Sequence, residues 1–262
     1  MEVTNILLGY GKTARVYLAR DELGKEYAVR VIDKTKLSMV KIRLLLRELD
    51  IIRQLEHPHI IKVYDIMDNP VKTQIFMEKF TGDLASYLKA NGVLNELNCR
   101  IIFHQLVSAI SYLHSKFIVH GDVKLKNILF NNNSDLTVVI SDFDLSVIRK
   151  PNDPYTSGMR GTPLYFSPEA LNGARHTGYP SDIYALGICL FMLYDDPDND
   201  AEPYHASGLS LTNYLVYLER HRMNRLMLLD NQSLVNLLKG MLDHNFEHRL
   251  TIKEIINHPW ME

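Results

Sequence analysis

Cysteine is scarce in this chain, with two residues among 262. Cys99 and Cys189 both lie in apolar helical patterns, where a thiol behaves as a small hydrophobic side chain. Because disulfide-stapled domains are dense in cysteine, the scarcity excludes that class and predicts two reduced, buried thiols. The same two residues give no basis for a metal site or a redox site.

An excess of charge of one sign is also missing. The 29 basic and 31 acidic residues give a formal charge of -2, which predicts neither a nucleic-acid partner nor binding to an anionic membrane. The longest apolar run, residues 185–194, is too short to cross a bilayer, and the N-terminus lacks the basic start of a secretory leader. We therefore expect an intracellular protein, cytoplasmic or nuclear, that does not bind membranes.

The chain does have enough apolar content, 46% hydrophobic residues, to bury a large core in one domain or in two closely packed lobes. Its first part alternates short β-branched runs with turns, which predicts a small antiparallel sheet. The predicted strands are residues 6–8, 16–19, 27–32, 60–67 and 73–77. Between the third and fourth strands we expect one helix after Ser38, because apolar residues from Ile42 to Leu55 recur at helical spacing.

From Asp83 onward the apolar pattern becomes helical. The predicted helices are residues 84–90, 96–116 and 185–193, with later starts near Ser233 and at Thr251. Gly92 follows the first of them, as a C-terminal cap often does, and Glu254 lies three residues after Thr251, the spacing of a capping box. The sequence thus predicts an α+β fold, in which a small sheet with one helix precedes a mainly helical part.

A glycine-rich segment near the N-terminus follows the spacing G-x-G-x-x-A. Its residues and flanks are Leu8, Gly9, Tyr10, Gly11, Lys12, Thr13, Ala14, Arg15 and Val16. Glycine lets backbone N–H groups approach phosphate oxygens, so the segment predicts a phosphate-binding loop. The spacing also fits a dinucleotide-binding fold, in which Asp33 would bind the ribose. However, residues 16–19 are followed by a turn and then by a second apolar run at 27–32, a pattern that favours a β-hairpin.

Two later segments carry the most specific pattern. Residues 120–127 read His-Gly-Asp-Val-Lys-Leu-Lys-Asn, and residues 141–144 read Ser-Asp-Phe-Asp. They resemble the motifs H-R-D-x-K-x-x-N and D-F-G of eukaryotic protein kinases. The resemblance implies that Asp122 accepts the substrate hydroxyl proton and that Lys124 lies near the transferred phosphoryl group. It also implies the ligands of Mg²⁺, which are Asn127 and Asp142.

The chain departs from these motifs at Gly121 and Asp144. In the family, the residue in the place of Gly121 is an arginine that gathers a phosphate on the activation loop. We therefore predict that phosphorylation of the Tyr-Thr-Ser run at residues 155–157 does not switch activity in the usual way. Asp144 stands where the family has glycine, and because Asp tolerates left-handed backbone, this change leaves activity open.

A third departure lies on the predicted strand after the glycine-rich segment. Residues 27–31 resemble the V-A-I-K motif, with Arg30 in place of the lysine that bridges the ATP phosphates and an acid on the next helix, here Glu48. Arg30 can still pair with Glu48, but a planar guanidinium differs in reach from an ammonium, so we expect imperfectly held phosphates. Lys12 or Arg15 would supply the contact to the phosphates that the missing lysine makes in the family. The simpler interpretation is that both residues are solvated charges of a loop.

Further resemblances extend from residue 8 to residue 260. The backbone from Glu78 to Phe80 matches the hinge that faces adenine. In the family, the acid matching Glu169 pairs with a late arginine, here Arg249, and the acid matching Asp182 braces the catalytic loop. The implied fold is a bilobal kinase fold, one domain over residues 1–262, with an N-lobe at 1–79, a hinge at 78–82 and a C-lobe at 83–262.

The motifs imply a serine/threonine protein kinase that transfers the γ-phosphoryl group of MgATP to a protein substrate, with reduced activity. Lys124 favours the serine/threonine type, and residues 27–34 and 258–261 look like the calmodulin-dependent and AMP-activated kinase group. The alternative is a pseudokinase that acts as a binding or scaffolding module. A regulatory protein is a further expected partner. The acidic stretch at 195–202 would attract basic substrates or, more simply, be a solvated loop.

Overall fold

A computed structural model of the chain describes residues 1–11, 14–131, 136–149, 161–173, 178–195 and 207–262. The N-terminal part forms a five-stranded antiparallel sheet. Its strands are β1 (Glu2–Tyr10), β2 (Ala14–Arg20), β3 (Glu26–Asp33), β4 (Val63–Asp68) and β5 (Lys72–Met77). Their order across the sheet is β1-β2-β3-β5-β4, so the last hairpin inserts β5 beside β3.

The remaining described chain is mainly helical. The helices are α1 (Met39–Ile52), α2 (Leu84–Asn91), α3 (Glu96–Ser115), α4 (Pro168–Leu171), α5 (Tyr179–Tyr194), α6 (Leu211–Leu226), α7 (Gln232–Met241) and α8 (Ile252–Ile256). Short strands accompany them: β6 (Gly82–Asp83), β7 (Ile118–Val119), β8 (Ile128–Phe130), β9 (Val138–Ile140) and β10 (Val147–Ile148). A small sheet with one helix, followed by a helical part, confirms the predicted α+β fold.

The glycine-rich segment joins two antiparallel strands. Gly9 lies opposite Val16 and Tyr10 opposite Arg15, and the Gly11 N–H donates to the Ala14 carbonyl at 2.8 Å. The hairpin predicted for residues 16–19 and 27–32 is confirmed by the next pair of strands, β2 and β3, where Val16 lies opposite Arg30 and Ala19 opposite Tyr27. The dinucleotide-binding interpretation is wrong, because that fold requires the loop to open a helix. Lys12 and Thr13 lie outside the described residues.

Four predicted boundaries need correction. The first strand, predicted at 6–8, spans Glu2–Tyr10, and the helix predicted at 185–193 spans Tyr179–Tyr194. The strand predicted at 60–67 begins at Val63, because Ile60 and Ile61 are buried and pair with Ile140 of β9 instead of with β5. The helix predicted to include Leu55 ends at Ile52. Its start is as expected, since the Ser38 side chain caps α1 by accepting from a backbone N–H in the first turn.

The core of the helical part is built on α5, which is apolar on all sides and packs against α3 and α7. Cys99 and Cys189 lie in α3 and α5, and both are buried free thiols, as predicted. The expected capping box is present at α8, where Thr251 and Glu254 exchange hydrogen bonds. Within the described ranges, no helix combines the length and hydropathy of a membrane span.

Strand pairing brings the two motif loops together. The 120–127 loop ends in a 3₁₀ turn, Leu125–Asn127, that leads directly into β8, and residues 141–144 follow β9. Because β8 and β9 pair with Ile128 opposite Ile140, both loops leave the same end of this small sheet. The Ser141 N–H donates to the Asn127 carbonyl at 2.8 Å and fixes the junction.

Candidate active site

Asp122 lies at the centre of a hydrogen-bond cluster. Its Oδ1 accepts from the Thr162 backbone N–H at 2.8 Å and from the Thr162 hydroxyl at 2.9 Å. Its Oδ2 accepts from Lys124 Nζ and from Asn127 Nδ2, the latter at 3.2 Å. The carboxylate is therefore nearly buried and fixed in orientation. Sequence analysis missed Thr162 as a site residue.

Lys124 links the two sides of this cluster. Its ammonium donates to Asp122 and, at 2.8 Å, to the Thr162 hydroxyl. A cation held between a carboxylate and a hydroxyl has its position set by two partners, so its charge is aimed at the space beside Asp122. The structure thus brings together the two residues for which catalytic roles were predicted.

A buried acid braces the backbone of the 120–127 loop, as predicted. The N–H groups of His120 and Gly121 each donate to the Asp182 carboxylate at 2.9 Å, and His114 Nε2 lies 3.0 Å from it. Burial alone would raise the pKa of Asp182, but the His114 hydrogen bond and the neighbouring charges outweigh burial and lower it. The carboxylate stays ionised and holds the loop from beneath.

Two glycines let the 120–127 loop meet the activation loop, the segment between Asp144 and Ser167, backbone to backbone. Gly121 has φ +78°, and a Cβ there would lie 3.1 Å from the Leu145 carbonyl oxygen. Gly161 has φ +106°, and a Cβ there would lie 2.8 Å from the Gly121 oxygen and 3.0 Å from Asp122 Oδ1. Any side chain at 161 would push the next residue, Thr162, away from Asp122.

Asp142 and Asn127 present oxygen atoms of the kind that Mg²⁺ prefers. Asp142 has φ +65°, a strained conformation for a non-glycine residue, and its side chain is 39% exposed. Asn127 uses its Nδ2 to donate to Asp122, and among the described residues its amide oxygen has no hydrogen-bond donor. A carboxylate and a free amide oxygen form a hard donor set that fits a magnesium ion.

The Asp144 side chain lies among other acids. Burial raises the pKa of Asp144 to about 7, and the carboxylates of Asp142 and Glu48 add to the rise. The left-handed conformation anticipated at Asp144 occurs at Asp142 instead, so position 144 does not require glycine for a positive φ. Phe143 between them is buried, with its ring centroid 5.0 Å from that of His120.

Arg30 pairs with Glu48, as predicted. Its guanidinium projects from β3 onto the Glu48 carboxylate of α1, and the same Nη1 lies 3.8 Å from Asp142 Oδ1. Burial raises the pKa of Glu48, and the Arg30 charge opposes that rise. The approach of Arg30 to Asp142 was not predicted. It places a fixed cation beside one of the two residues suited to hold a metal ion.

The remaining predicted residues lie on the sheet and its edge. Tyr10, at the end of β1, is 84% exposed, and Leu8 and Arg15 are also exposed. Glu78 follows β5 and donates its backbone N–H to the Lys62 carbonyl at 2.9 Å. Phe80 is partly buried against the core. These positions agree with a glycine-rich hairpin and a connecting segment, but they define no ligand contact.

Comparison with known proteins decides the family. A family model described as a protein kinase domain matches residues 3–261. The chain belongs to the protein kinase family. Serine/threonine-protein kinase SIK1 of Rattus norvegicus is 33% identical over 257 residues, which cover 97% of this chain and 32% of that protein. CBL-interacting serine/threonine-protein kinase 13 of Arabidopsis thaliana is 33% identical over 262 residues, covering 98% of this chain and 50% of that protein.

This kinase domain spans 32% and 50% of the lengths of those two relatives. Serine/threonine-protein kinase SIK2 of Gallus gallus follows the same pattern, with 33% identity over 257 residues and 31% of its own length covered. The relatives are serine/threonine kinases, which agrees with the type predicted from Lys124.

A second ion pair of the kinase domain lies away from the cluster at Asp122. Arg249 donates to both carboxylate oxygens of Glu169, at 2.7 and 2.9 Å, and both side chains are buried. The guanidinium also lies 5.0 Å from the centre of the Tyr184 ring. Burial alone would raise the pKa of Glu169, but the hydrogen bonds and charge of Arg249 outweigh burial and lower it. The predicted pairing is confirmed.

Replacing Arg249 by Met should lower the free energy of unfolding of the kinase domain by about 3–5 kcal/mol, because Glu169 would stay buried without its partner. The measurement is urea unfolding at neutral pH, read from the midpoint at an unchanged slope. The matched control is Arg53→Met, since Arg53 is 52% exposed and lies 3.7 Å from an exposed Asp50. It should cost no more than about 0.5 kcal/mol. Equal losses in both variants would contradict the prediction.

Proposed function

We propose that this kinase domain transfers the γ-phosphoryl group of MgATP to serine or threonine hydroxyls of protein substrates. The observation that carries the proposal is the fixed Asp122 carboxylate, held by Thr162, Lys124 and Asn127. A carboxylate with this support accepts a hydroxyl proton without having to reorganise.

In this proposal Lys124 stabilises negative charge on the group being transferred. Its ammonium is held beside Asp122 and Thr162, so it lies next to the place where the acceptor hydroxyl must be. Preorganised cations are effective there because transfer spreads charge over the phosphoryl oxygens. Thr162 acts as a positioning residue, since it fixes both Asp122 and Lys124.

Asn127 and Asp142 are the residues that would hold magnesium. Their free amide oxygen and carboxylate fit the ion, and the strained backbone of Asp142 suits a residue held in place for binding. When bound, MgATP supplies the phosphoryl group and a metal charge that offsets the charge of the phosphates. The hairpin at Gly9 and Gly11 and the hinge from Glu78 to Phe80 would hold the nucleotide.

A second candidate function, a pseudokinase scaffold, is favoured by one observation. Arg30 contacts Glu48 and lies 3.8 Å from Asp142, where its charge competes with a metal ion for the carboxylate. We favour a slow enzyme over a scaffold because the cluster at Asp122 is complete. A chain without chemistry to perform has no physical need for such a cluster.

The test of the proposed function is transfer of labelled γ-phosphate from MgATP to a panel of serine and threonine peptides. The Asp122→Asn variant sets the background, and magnesium is varied at fixed ATP. Transfer above that background supports the enzyme. If all peptides stay at background at every magnesium concentration, while MgATP still raises the thermal unfolding temperature, the scaffold is the better function.

Activity should be independent of activation-loop phosphorylation. Gly121 has no side chain to bind a phosphate, and Thr162 already contacts Asp122 directly. Tyr155, Thr156 and Ser157 lie outside the described residues. We expect their joint replacement (Tyr to Phe, the others to Ala) to change kcat/KM by less than about twofold, where family members that bind the loop phosphate lose far more.

The measurement for this prediction is steady-state kinetics of the native chain, the triple variant and the phosphatase-treated native chain. Gly121→Arg is compared as well: it restores the cation at its place in the loop but adds a Cβ 3.1 Å from the Leu145 carbonyl oxygen, so its folding is checked before its kinetics. A fall of more than about tenfold in the triple variant, with its folding intact, would show that the loop phosphate has another binding partner.

A further inference from the structure

Arg222 is a buried cation in a stripe of apolar residues. The inward face of α6 carries Leu215, Leu218 and Leu226 at helical spacing, and Arg222 occupies the place in this stripe where another apolar residue would pack. Arg222 is only 5% exposed. Burying a guanidinium costs free energy unless its N–H groups are used as donors. Arg222 must therefore be used to hold polar atoms of a neighbouring segment.

The Arg222 guanidinium holds the backbone of the activation loop. Its Nη1 donates to the Leu164 carbonyl at 3.0 Å. Leu164 is the middle residue of a 3₁₀ turn, Pro163–Tyr165, and its own side chain is not buried, since Leu164 is 40% exposed. Burial of this side chain contributes little to fixing the turn, whereas a charged donor to its carbonyl forms a strong hydrogen bond.

The same charge also acts on the core helix α5. Burial raises the pKa of the Tyr184 phenol and of the Cys189 thiol, both on α5, and the Arg222 charge opposes both rises. Arg222 is thus placed between α5 and the 163–165 turn. It connects the core of the helical part with the activation loop.

The turn held by Arg222 leads back to the candidate active site. The Tyr165 N–H donates to the Thr162 carbonyl at 2.9 Å and closes the turn. Thr162 in turn contacts Asp122, because its N–H donates to the carboxylate at 2.8 Å and its hydroxyl at 2.9 Å. A shift of the turn would therefore move Thr162 on Asp122. The placement of the carboxylate depends in this way on a residue of α6.

The partner of Arg222 is a backbone carbonyl, which is present whether or not the activation loop is phosphorylated. This distinguishes Arg222 from the arginine that the family has in place of Gly121, which binds a phosphate and acts only once the phosphate has been added. Gly121 leaves the 120–127 loop without that cation. Arg222 supplies a cation to the activation loop from a different element and by a contact that needs no modification.

We propose that Arg222 is a positioning residue that holds the activation loop in the arrangement needed for phosphoryl transfer, through the Leu164 carbonyl and in place of a loop phosphate. The proposal rests on the proposed function, since it takes Asp122 as the group that accepts the proton. The effect of Arg222 reaches Asp122 through the 163–165 turn and Thr162, so Arg222 acts on the rate of transfer and not on nucleotide binding.

The first test compares the native chain with Arg222→Met, which removes the donors and keeps an unbranched side chain. Single-turnover phosphorylation of a neutral peptide with one serine should fall about 10- to 100-fold, because a displacement of about 1 Å costs on the order of 10²-fold in rate. The rise in unfolding temperature caused by MgATP should be unchanged. Arg222→Lys keeps the charge with fewer donors, so its rate should lie between the other two.

A second readout does not depend on activity. Hydrogen exchange of the Tyr165 and Phe166 amides, both bonded within the turn region, should become about tenfold faster in Arg222→Met, while exchange in α5 stays unchanged. The comparison with α5 separates local loosening from global unfolding. The matched control is Arg225→Met, the same exchange on the same helix, where the side chain pairs with Asp195 at 3.0 Å. It should leave the transfer rate and the exchange of the turn at the native level.

Three results would overturn the proposal: native exchange at the turn in Arg222→Met, faster exchange there with a native transfer rate, or equal effects in Arg225→Met. If Arg222→Met does not fold, Arg222→Lys decides by the same measurements, and native values in both would overturn the proposal. If the native chain does not phosphorylate the peptide above the Asp122→Asn background, the proposed function fails. Exchange at the turn then decides by itself whether Arg222 holds the activation loop.

Discussion

Replacing Asp122 by Asn should lower kcat for phosphoryl transfer by about 10²- to 10⁴-fold, the usual contribution of a positioned general base. The amide oxygen of Asn can still accept from the Thr162 N–H, so the 120–127 loop keeps its anchor on the activation loop. The variant lacks a group that accepts a proton near neutral pH. The measurement is single-turnover phosphorylation of the best peptide, which reads the chemical step without product release.

Two controls separate chemistry from structure in this variant. MgATP binding, followed by thermal shift, should be nearly unchanged, because Asp122 is not among the residues proposed to hold the nucleotide. Thr162→Val removes the hydroxyl that contacts both Asp122 and Lys124, so it should cause a smaller loss by loosening the cluster. If Asp122→Asn keeps more than about a tenth of native kcat, Asp122 is not the proton acceptor.

Local patterns were enough to predict the sheet, its single early helix and the helical remainder. Hydrophobic periodicity and capping residues depend only on positions that are close in the chain. The helix ends at Ser38, Gly92 and Thr251 could therefore be predicted from sequence alone. The start predicted for the fourth strand, at residue 60, was wrong for the opposite reason. Ile60 and Ile61 look like a strand locally, but they pair with β9, about 80 positions later in the chain.

The candidate site shows the same division between motif and geometry. The motifs located Asp122, Lys124, Asn127 and Asp142. They gave no distances, so the approach of Arg30 to Asp142 and the contacts of Thr162 became visible only when two distant segments were folded together. Side-chain reach across such segments depends on backbone placement to within about 1 Å, and residue type alone does not fix that placement.

Gly121 illustrates how one residue can have two physical meanings. In the sequence, Gly121 stands where the family has a phosphate-binding arginine. In the folded chain it also has φ +78° and lies against the Leu145 carbonyl, where a Cβ would approach to 3.1 Å. A non-glycine residue in left-handed backbone costs about 1–2 kcal/mol. Glycine at this position therefore lacks a phosphate-binding side chain and also avoids that strain, and it leaves the close backbone approach to Leu145 undisturbed.

The second large effect concerns Arg30, which is expected to limit the rate. Its guanidinium lies between Glu48 and Asp142, with a side chain that is only 18% exposed, so it has little room to move aside for a nucleotide. Lysine at this position keeps the charge and the pairing with Glu48 but presents a compact ammonium. We expect Arg30→Lys to raise kcat by about 10- to 100-fold, the gain that corresponds to correcting a placement error of about 1 Å.

The comparison that interprets this gain is Arg43→Lys, the same exchange at an exposed position of α1, which should leave kcat unchanged. Titration of magnesium at fixed ATP supplies a second readout: if Arg30 competes for Asp142, the Lys variant should reach half-maximal rate at a lower magnesium concentration. A gain in both readouts identifies a kinase slowed by one side chain. If Arg30→Lys is no faster than the native chain, Arg30 does not limit the rate, and if neither protein exceeds the Asp122→Asn background, the complete cluster at Asp122 serves structure alone.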